Sequence, residues 1–342
     1  MKCRVKLAVV VVVGFLLTGS VEQVFAQANF FEGKTIRFIV GFSAGGGYDA
    51  YTRTIARHMG KYIAGSPVCV VDNMPGAGSL ISANNIYRAA KPDGLTIGHF
   101  IGGLFLQQLL GKPGIEFDSL KFEYLGVPAQ DHFILGVAKS TGITDAEKWI
   151  ASKQVVKFGG VGTGSGTDDF PLVLKATIGL PIQMVSGYKG TADIRLAFNS
   201  GEISGISNSW ESTKSTWKKE LEAGDLIPSL QVTSKPHPEL SKVPLAVSLA
   251  KTEESRKLIE TVARVHGASV RPYVVPPGTP KDRVQILRKA FMDTMKDPGF
   301  LAEAQKASLD INPDDGPALE QNVKDIFKLD PKLIARLKEI LK

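Results

Sequence analysis

The sequence predicts an α/β fold arranged as two lobes, and three observations lead to this prediction. Short apolar, strand-like runs alternate with helix-like segments along most of the chain, which is typical of helices packed on largely parallel sheets. Removal of a 26-residue leader from the 342 residues would leave 316, enough for two domains of ordinary size. The alternation also begins a second complete set near Val127.

The first 26 residues have the pattern of a cleavable export signal. Lys2, Arg4 and Lys6 form a charged start, Leu7–Leu17 is apolar, and small residues follow near Ala26, as signal peptidase requires. The apolar run of 11 residues is too short to span a bilayer, which needs about 20. We therefore expect the mature protein to be periplasmic.

Composition argues against several other classes of protein. Removing the leader takes away three basic residues and one acidic residue, so the formal net charge falls from +7 to +5. The remaining basic residues are dispersed, and we predict no binding to nucleic acid. Cys69 would be the single cysteine left, which excludes an internal disulfide, and its apolar neighbours predict a buried, unreactive thiol. No histidine–carboxylate pair has metal-ligand spacing, so we predict neither a metal nor a cofactor.

The first set of elements contains three predicted strands and two predicted helices. Tyr51, Ile55 and Met59 recur every four residues, as the buried face of a helix requires. Strands are expected at Thr35–Val40, Val68–Val71 and Leu95–Gly98, and helices at Tyr48–Tyr62 and Ser79–Ala90.

The second set and the C-terminal part follow the same alternation. Strands are expected at Phe133–Ala138, Val155–Phe158, Gln183–Val185 and Ile203–Ile206, and helices at Asp145–Ala151, Thr167–Ile178, Asp193–Asn199 and Ser212–Leu221. A proline-rich passage around residues 235–244 separates this set from the last elements. These are an apolar segment at Tyr273–Val275 and helices at Lys281–Met295, Phe300–Ala307, Ala318–Leu329 and Lys332–Leu341.

Four turns rich in glycine and hydroxyl groups stand between a predicted strand and a predicted helix. They are turn 1 (Phe42–Asp49), turn 2 (Pro75–Ser79), turn 3 (Gly159–Thr167) and turn 4 (Gly187–Thr191). In open α/β sheets, ligands bind outside the carboxyl ends of the strands, where a helix start offers free N–H groups to an anion. Glycine lets the backbone approach that anion closely. Hydroxyl donors are present at Ser43, Ser79, Thr163, Ser165, Thr167 and Thr191. The turns predict an anion site, although glycines also make simple tight connections.

Turn 1 overlaps a G-x-S-x-G motif at Gly41–Gly45, the pattern that holds the nucleophile of many serine hydrolases. That fold also needs an oxyanion donor from an earlier loop and a later histidine. Only a short segment precedes this turn after the leader, and each of the five histidines stands where a structural role is expected. An exported serine hydrolase using Ser43 is the alternative function.

Five stretches carry the most distinctive motifs: GKTIRFIVGFSAGGGYDAYTRTIARHM, VVDNMPGAGSL, GGVGTGSGTDDFP, GYKGTADI and PPGTPKDRV. In this order they resemble the extracytoplasmic receptors of tripartite tricarboxylate transporters, also called Bug proteins. The resemblance implies a two-lobed periplasmic-binding-protein fold of the type II-like flytrap form, with a mixed, mostly parallel sheet in each lobe and a hinge between the lobes. It divides the chain into a leader (1–26), lobe 1 (27–127 and 243–342) and lobe 2 (128–242).

The resemblance further implies a receptor that is not an enzyme. It would capture a small organic anion, whether a mono-, di- or tricarboxylate or an aromatic acid, and deliver it to the membrane permease subunits of the transporter. A sensor that signals ligand occupancy would have the same sequence features. In this family a carboxylate is commonly held by backbone amides, hydroxyls and water rather than by a buried arginine.

The ligand-binding positions that the resemblance implies lie in the four turns and at the rim of lobe 2. They are Ser43, Ala44, Gly45, Gly46, Gly47, Tyr48, Asp49, Ala77, Gly78, Ser79, Gly162, Thr163, Gly164, Ser165, Thr167, Tyr188, Lys189, Gly190, Thr191 and Asn208. Tyr48 stands where relatives commonly have a small residue, so it is expected to stack on the ligand or limit its size. Asp49 is expected to order the turn rather than to touch the anion.

Overall fold

Two mixed β-sheets organise residues 30–341, the part of the chain that the computed structural model describes. The predicted leader, residues 1–26, lies outside the described residues. The strands are β1 (Thr35–Val40), β2 (Val68–Asn73), β3 (Thr96–His99), β4 (Glu123–Val127), β5 (Phe133–Ala138), β6 (Val156–Gly160), β7 (Ile182–Ser186), β8 (Gly205–Ser209), β9 (Leu226–Val232), β10 (Tyr273–Val275) and β11 (Asp314–Asp315).

Helices cover both sheets. They are α1 (Gly47–Met59), α2 (Leu80–Arg88), α3 (Gly103–Leu109), α4 (Ala146–Ser152), α5 (Gly166–Ile178), α6 (Thr191–Asn199), α7 (Trp210–Thr216), α8 (Lys218–Glu222), α9 (Glu253–Ser269), α10 (Lys281–Thr294), α11 (Pro298–Lys306), α12 (Gly316–Ile326) and α13 (Pro331–Ile340). Among the described residues, none of these helices has the length and apolar character needed to cross a lipid bilayer.

Parallel strand pairings are fewer in the two sheets than expected. The first sheet has the order β11-β4-β10-β3-β1-β2 and the second the order β7-β6-β8-β5-β9. Strand β1 is parallel to β2 and β3, and β6 is parallel to β7 and β8, whereas the other five pairings are antiparallel. The sheets are mixed, as predicted, but parallel pairing is not the majority. A short apolar run has the same pattern in either direction, so the sequence could not reveal this.

The chain passes between the sheets more than once. Strands β1–β4 belong to the first sheet and β5–β9 to the second, and the chain then returns to add β10 between β3 and β4. This path is compatible with lobe borders at residues 127/128 and 242/243, which remain a proposal. Helix α9 packs against α5, which covers the second sheet, and also against α12 and α13. It therefore connects the two lobes.

Helix α1, which continues from turn 1, packs its buried face into the hydrophobic core. Tyr51, Ile55 and Met59 of α1 are at most 1% exposed, which confirms the predicted buried face. They pack in clusters with residues of β1, β10 and α10 on one side and with residues near β11 on the other. Burial of large apolar side chains contributes about 1.5–3 kcal/mol each, so turn 1 rests on a rigid base.

Strand β2 forms an edge of the first sheet and carries Cys69. The side chain of Cys69 is half-buried, and this burial raises the pKa of its thiol to about 11. An ion pair between Arg37 and Asp72, with N and O atoms 2.7 Å apart, lies on the neighbouring strands. The raised pKa keeps the thiol protonated, in agreement with the predicted unreactive cysteine.

Candidate functional site

The four glycine-rich turns meet where the two lobes face each other. The backbone N–H of Ser43 in turn 1 donates to the carbonyl of Lys189 in turn 4 at 3.1 Å, and the Ser43 hydroxyl donates to Asp193 at 2.5 Å. Turn 2 faces turn 3, since a Cβ atom on Gly78 would lie 3.5 Å from the carbonyl oxygen of Gly162. The lobes are therefore in contact on both sides of the cleft.

A pocket of about 410 Å³, its mouth included, lies between the lobes. Its apolar wall is formed by Phe42, Tyr48, Ile101, Phe133 and Val161. Its polar groups belong to Asp131, Ser165, Thr167, Thr191, Asn208, Ser209, Ser212 and Arg271. Residues on strands of the second sheet and residues beside strands of the first sheet contribute, so the pocket depends on the closed arrangement of the lobes.

Five of the expected ligand-binding residues line this pocket, namely Tyr48, Ser165, Thr167, Thr191 and Asn208. The other fifteen expected positions do not line it: Ser43, Ala44, Gly45, Gly46, Gly47, Asp49, Ala77, Gly78, Ser79, Gly162, Thr163, Gly164, Tyr188, Lys189 and Gly190. The geometry therefore brings the four turns together, but only turns 1, 3 and 4 contribute residues to the lining of the cavity.

Several donors in the turns are already bonded to the chain's own carboxylates. Three backbone amides are bonded in this way: Gly45 to Asp49 at 2.9 Å, Gly162 to Asp168 at 2.8 Å and Gly164 to Asp169 at 2.9 Å. Burial alone would raise the pKa of Asp49, but hydrogen bonds from Arg53, Gly45 and Asn73 bring it below its ordinary value. Asp49 thus orders turn 1, as expected.

Three other residues that were expected to bind the ligand also form hydrogen bonds within the protein. The hydroxyl of Ser79 accepts a hydrogen bond from the N–H of Ile101 at 3.0 Å. The carbonyl of Thr163 accepts one from the Lys112 ammonium group at 2.8 Å, and the Tyr188 hydroxyl donates to Glu202 at 2.6 Å. These bonds stabilise the turns and their neighbours.

Tyr48 is held firmly at the edge of the pocket. Its hydroxyl donates to the carbonyl of Val270 at 2.6 Å. Its ring lies 4.6 Å from that of Phe42 and 4.7 Å from that of His99. Burial raises the pKa of Tyr48 well above its ordinary value, so the side chain is a neutral, fixed wall.

A buried arginine lies on the pocket, contrary to what the resemblance implied. Arg271 Nε donates to Asp131 Oδ1 at 2.8 Å, and Nη2 donates to Ser209 at 2.9 Å and to Ser212 at 2.6 Å. Both side chains of the Arg271–Asp131 pair are 1% exposed. Burial raises the pKa of Asp131 above its ordinary value, against the opposing effect of Arg271.

Sequence reasoning missed Arg271 because no local motif marks it. A charged residue just before the short apolar run Tyr273–Val275 is ordinary. Its partners are 59, 62 and 140 residues away in the chain. Only the returning path of the chain brings them together.

The surroundings of Ser43 do not have the catalytic geometry that the serine hydrolase alternative requires. Ser43 donates to the carboxylate of Asp193 rather than to an imidazole. The five histidines are used elsewhere: His58 with Glu303, His132 with Glu211, His266 with Asp169, His237 with the N–H of Glu239, and His99 stacked on Tyr273. Among the described residues, the Ser43 hydroxyl therefore has no histidine beside it of the kind that activates the nucleophile of a serine hydrolase.

One cluster has the composition of a metal site. Ligand atoms of His132, Glu211 and His237 lie within 4.8 Å of one another, although they come from three distant segments. However, Glu211 accepts hydrogen bonds from both the backbone N–H and Nδ1 of His132, at 3.0 and 2.8 Å. His237 Nδ1 accepts from the N–H of Glu239 at 3.2 Å, so neutral His237 carries its proton on Nε2. That nitrogen then has no lone pair for a metal, and the geometry does not fit one.

Comparison with known proteins places these features in one family. A family model described as "Tripartite tricarboxylate transporter family receptor" matches residues 51–338. Among curated proteins, the chain is similar to the UPF0065 protein in gbd 5'region of Cupriavidus necator. The two are 32% identical over 127 residues, so the match spans 37% of this chain and 37% of that protein.

Solved structures are similar over nearly the whole described fold. The periplasmic binding protein BugD has a TM-score of 0.73 at 20% identity, covering 91% of this chain and 98% of its own. MatC from Rhodopseudomonas palustris, solved with bound malate, has a TM-score of 0.69 at 19% identity, covering 91% of this chain and all of its own. Rpa4515 of R. palustris, solved with adipate, has a TM-score of 0.71 at 20% identity, covering 90% and 98%. At these identities the similarity concerns the fold, that of two-lobed periplasmic binding proteins.

Proposed function

Because this chain belongs to the tripartite tricarboxylate transporter receptor family, we propose that it is an extracytoplasmic receptor for a small organic anion. Proteins of this family are periplasmic, and the family and fold are those of substrate-binding proteins. We propose that residues 1–26 direct export of this chain. The mature receptor then delivers its ligand to the membrane permease subunits of a tripartite transporter.

The pocket between the lobes is the observation on which this proposal rests. It is lined from both sides and is flanked by direct contacts between turns 1 and 4. A ligand in such a cleft touches both lobes only when they are closed, so its binding free energy favours the closed state. Closure then gives the permease a shape that distinguishes the loaded receptor from the empty one.

The nature of the ligand is supported by two further observations. MatC was solved with malate and Rpa4515 with adipate, and both ligands are carboxylates. In this chain, Arg271 contributes a guanidinium group and Ser165, Thr167, Thr191, Ser209 and Ser212 contribute hydroxyl groups to the pocket. These are suitable donors for a carboxylate.

A thermal-shift screen of the mature protein against some tens of organic acids tests the proposal. A ligand at 100 times its Kd adds about 2.7 kcal/mol of stability, which raises Tm by several degrees. We expect such a shift with one class of carboxylate and full recovery of the compound afterwards. No shift with any organic anion, or consumption of the compound, would contradict the receptor function.

A further inference from the structure

The guanidinium group of Arg271 has a donor that the protein itself does not use. Nε is bonded to Asp131, and Nη2 is bonded to the hydroxyls of Ser209 and Ser212. Nη1 is buried and has no hydrogen-bond partner among residues 30–341. Leaving a buried charged donor without a partner is unfavourable, and this side chain borders the pocket. A ligand oxygen at Nη1 would complete its hydrogen bonding.

The position of this guanidinium group is fixed before any ligand arrives. The ring centroids of Tyr51 and Tyr48 lie 4.5 and 5.0 Å from its central carbon. Such contacts between a cation and an aromatic ring are favourable. Together with the Asp131 ion pair, they hold the planar fork in one orientation. The binding of a carboxylate therefore loses little side-chain entropy.

Arg271 Nη1 is the one cationic donor of the lining that no described residue uses, and it suits a single carboxylate in the pocket. Of the described residues that line it, Arg271 is the one cation and Asp131 the one anion. A second ligand carboxylate would be buried without a cation, which is costly. The amides of Gly45, Gly162 and Gly164, which were expected as donors to the ligand, are bonded to aspartates of the chain.

The remaining wall suits an apolar ligand body. Phe42, Ile101, Phe133 and Val161 are each at most 6% exposed and line the pocket. The volume of about 410 Å³ includes the open mouth, so the enclosed part of the pocket is smaller and the ligand body must be small. We propose that Arg271 Nη1 binds the carboxylate of a small monocarboxylate whose apolar body packs against these four side chains. This inference rests on the proposed receptor function and narrows its ligand.

The ligand half of the test compares matched compounds by thermal shift and calorimetry. The probes are benzoate, phenylacetate and 4-methylpentanoate, the neutral amides of the same three acids, and the dicarboxylates malate and adipate. We expect at least one of the monocarboxylates to bind and its amide not to bind. We expect malate and adipate to bind that site at least about tenfold more weakly, because one charge remains unpaired.

The protein half of the test removes the guanidinium group without leaving an unpaired charge. Arg271→Met alone would strand Asp131 in the interior and is at risk of misfolding. The double variant Arg271→Met/Asp131→Asn removes both charges, and Asp131→Asn alone shows the effect of the second change. Arg88→Met, in the exposed Arg88–Glu116 pair, is the matched control outside the pocket. We expect the double variant to keep its circular dichroism spectrum and to bind the monocarboxylate about 10- to 100-fold more weakly.

The possible results test the role of Arg271 and the ligand class separately from the proposed receptor function. Unchanged monocarboxylate affinity in the folded double variant would overturn the role of Arg271. Strong binding of malate or adipate to the wild type, with no binding of monocarboxylates, would overturn the proposed ligand class and leave the receptor function standing. No response to any anion, including the wider screen, would refute the receptor function itself.

Discussion

At the residue scale, His99 is a buried imidazole that stays neutral at ordinary pH. Its ring is stacked on Tyr273 with a centroid distance of 4.1 Å, and Nδ1 donates to the carbonyl of Pro272 at 3.1 Å. Burial lowers the pKa of His99 to about 3, from 6.5 in an exposed chain. Protonation of this side chain is thus possible in the unfolded protein long before it occurs in the native protein.

We predict that His99 makes folding stability decrease as the pH falls below 6.5. Between the two pKa values the unfolded chain binds the extra proton, so acid favours unfolding by about 1.4 kcal/mol per pH unit. Urea unfolding of wild type should therefore show a contribution of about 2 kcal/mol lost between pH 6.5 and 5. His99→Phe keeps an aromatic ring and removes the titration, so its stability should decrease less over this range. Equal pH dependence of the two proteins would contradict the prediction.

The sequence predicts only those parts of the candidate site that are formed by residues close together in the chain. Turns 1 to 4 were recognisable because glycine and hydroxyl residues stand between a strand and a helix. The ordering role of Asp49 was expected, whereas the bonds of Asp168 and Asp169 to the amides of turn 3 depend on side-chain geometry and were not predicted. The Arg271–Asp131 pair joins residues 140 positions apart, beyond the reach of any local pattern.

At the scale of elements, turn 1 contains a glycine whose role can be tested separately from folding. Gly46 has φ −91° and ψ 174°, an extended conformation that any residue can adopt. A Cβ atom added there would lie 2.8 Å from the hydroxyl oxygen of Thr191, across the cleft in turn 4. A larger side chain would therefore oppose closure rather than distort the turn.

We predict that Gly46→Val weakens ligand binding at least about tenfold, a change of about 1.4 kcal/mol, with little change in the Tm of the ligand-free protein. Calorimetry and thermal denaturation provide the two measurements. Ala302→Val, at an exposed position of α11 outside the four turns, is the control and should bind normally. Wild-type affinity in Gly46→Val would show that turns 1 and 4 need not approach during binding.

The corresponding change in turn 3 would be less informative. Gly164 has φ +94°, which a valine rarely adopts, and a Cβ atom there would lie 3.0 Å from the side chain of Gln107. We therefore expect Gly164→Val to lower Tm as well as affinity. A decrease in affinity without a decrease in Tm would contradict this expectation.

Elements with a simple apolar pattern were predicted well, and the others were not. The bounds of β1, β5 and β10 agree with the predicted runs, as do the C-terminal helices within two or three residues. Strand β9 was missed because Pro228 interrupts its pattern, opposite a register shift in β5. Helices α3 and α9 and strand β4 were also absent from the predicted elements. The predicted helix Ser212–Leu221 is divided at Trp217, whose buried ring packs on Phe198.

At the scale of the whole molecule, a small number of polar contacts hold the lobes together beside the pocket. Ser43 of turn 1 bonds Asp193 and the carbonyl of Lys189, and Lys112 bonds the carbonyl of Thr163. Burial lowers the pKa of Lys112, against the opposing effect of nearby aspartates. Contacts that form only when the lobes are together favour the closed state over an open one.

We predict that Ser43 and Asp193 act together in stabilising the closed state. Ser43→Ala and Asp193→Asn should each weaken binding of the best acid from the screen. The effects in the double variant should be less than additive, with a coupling of about 0.5–3 kcal/mol. Ser140→Ala, at an exposed site, is the control. Additive effects of the two substitutions on binding would show that the contact does not contribute to closure. If the wild type hydrolyses an activated ester and Ser43→Ala does not, the hydrolase alternative would be restored.

The raised pKa of Cys69 provides a built-in probe of unfolding in the chain that lacks the proposed leader and its Cys3. With a pKa of about 11, roughly one thiol in a thousand is ionised at pH 8, against roughly one in four for an ordinary cysteine. A thiol reagent should therefore label the native protein slowly and the unfolded chain quickly. Since Cys69 lies on the edge strand β2, the labelling rate would report how often that strand separates from the sheet. If a ligand also slows labelling, then closure of the cleft stabilises the far edge of lobe 1.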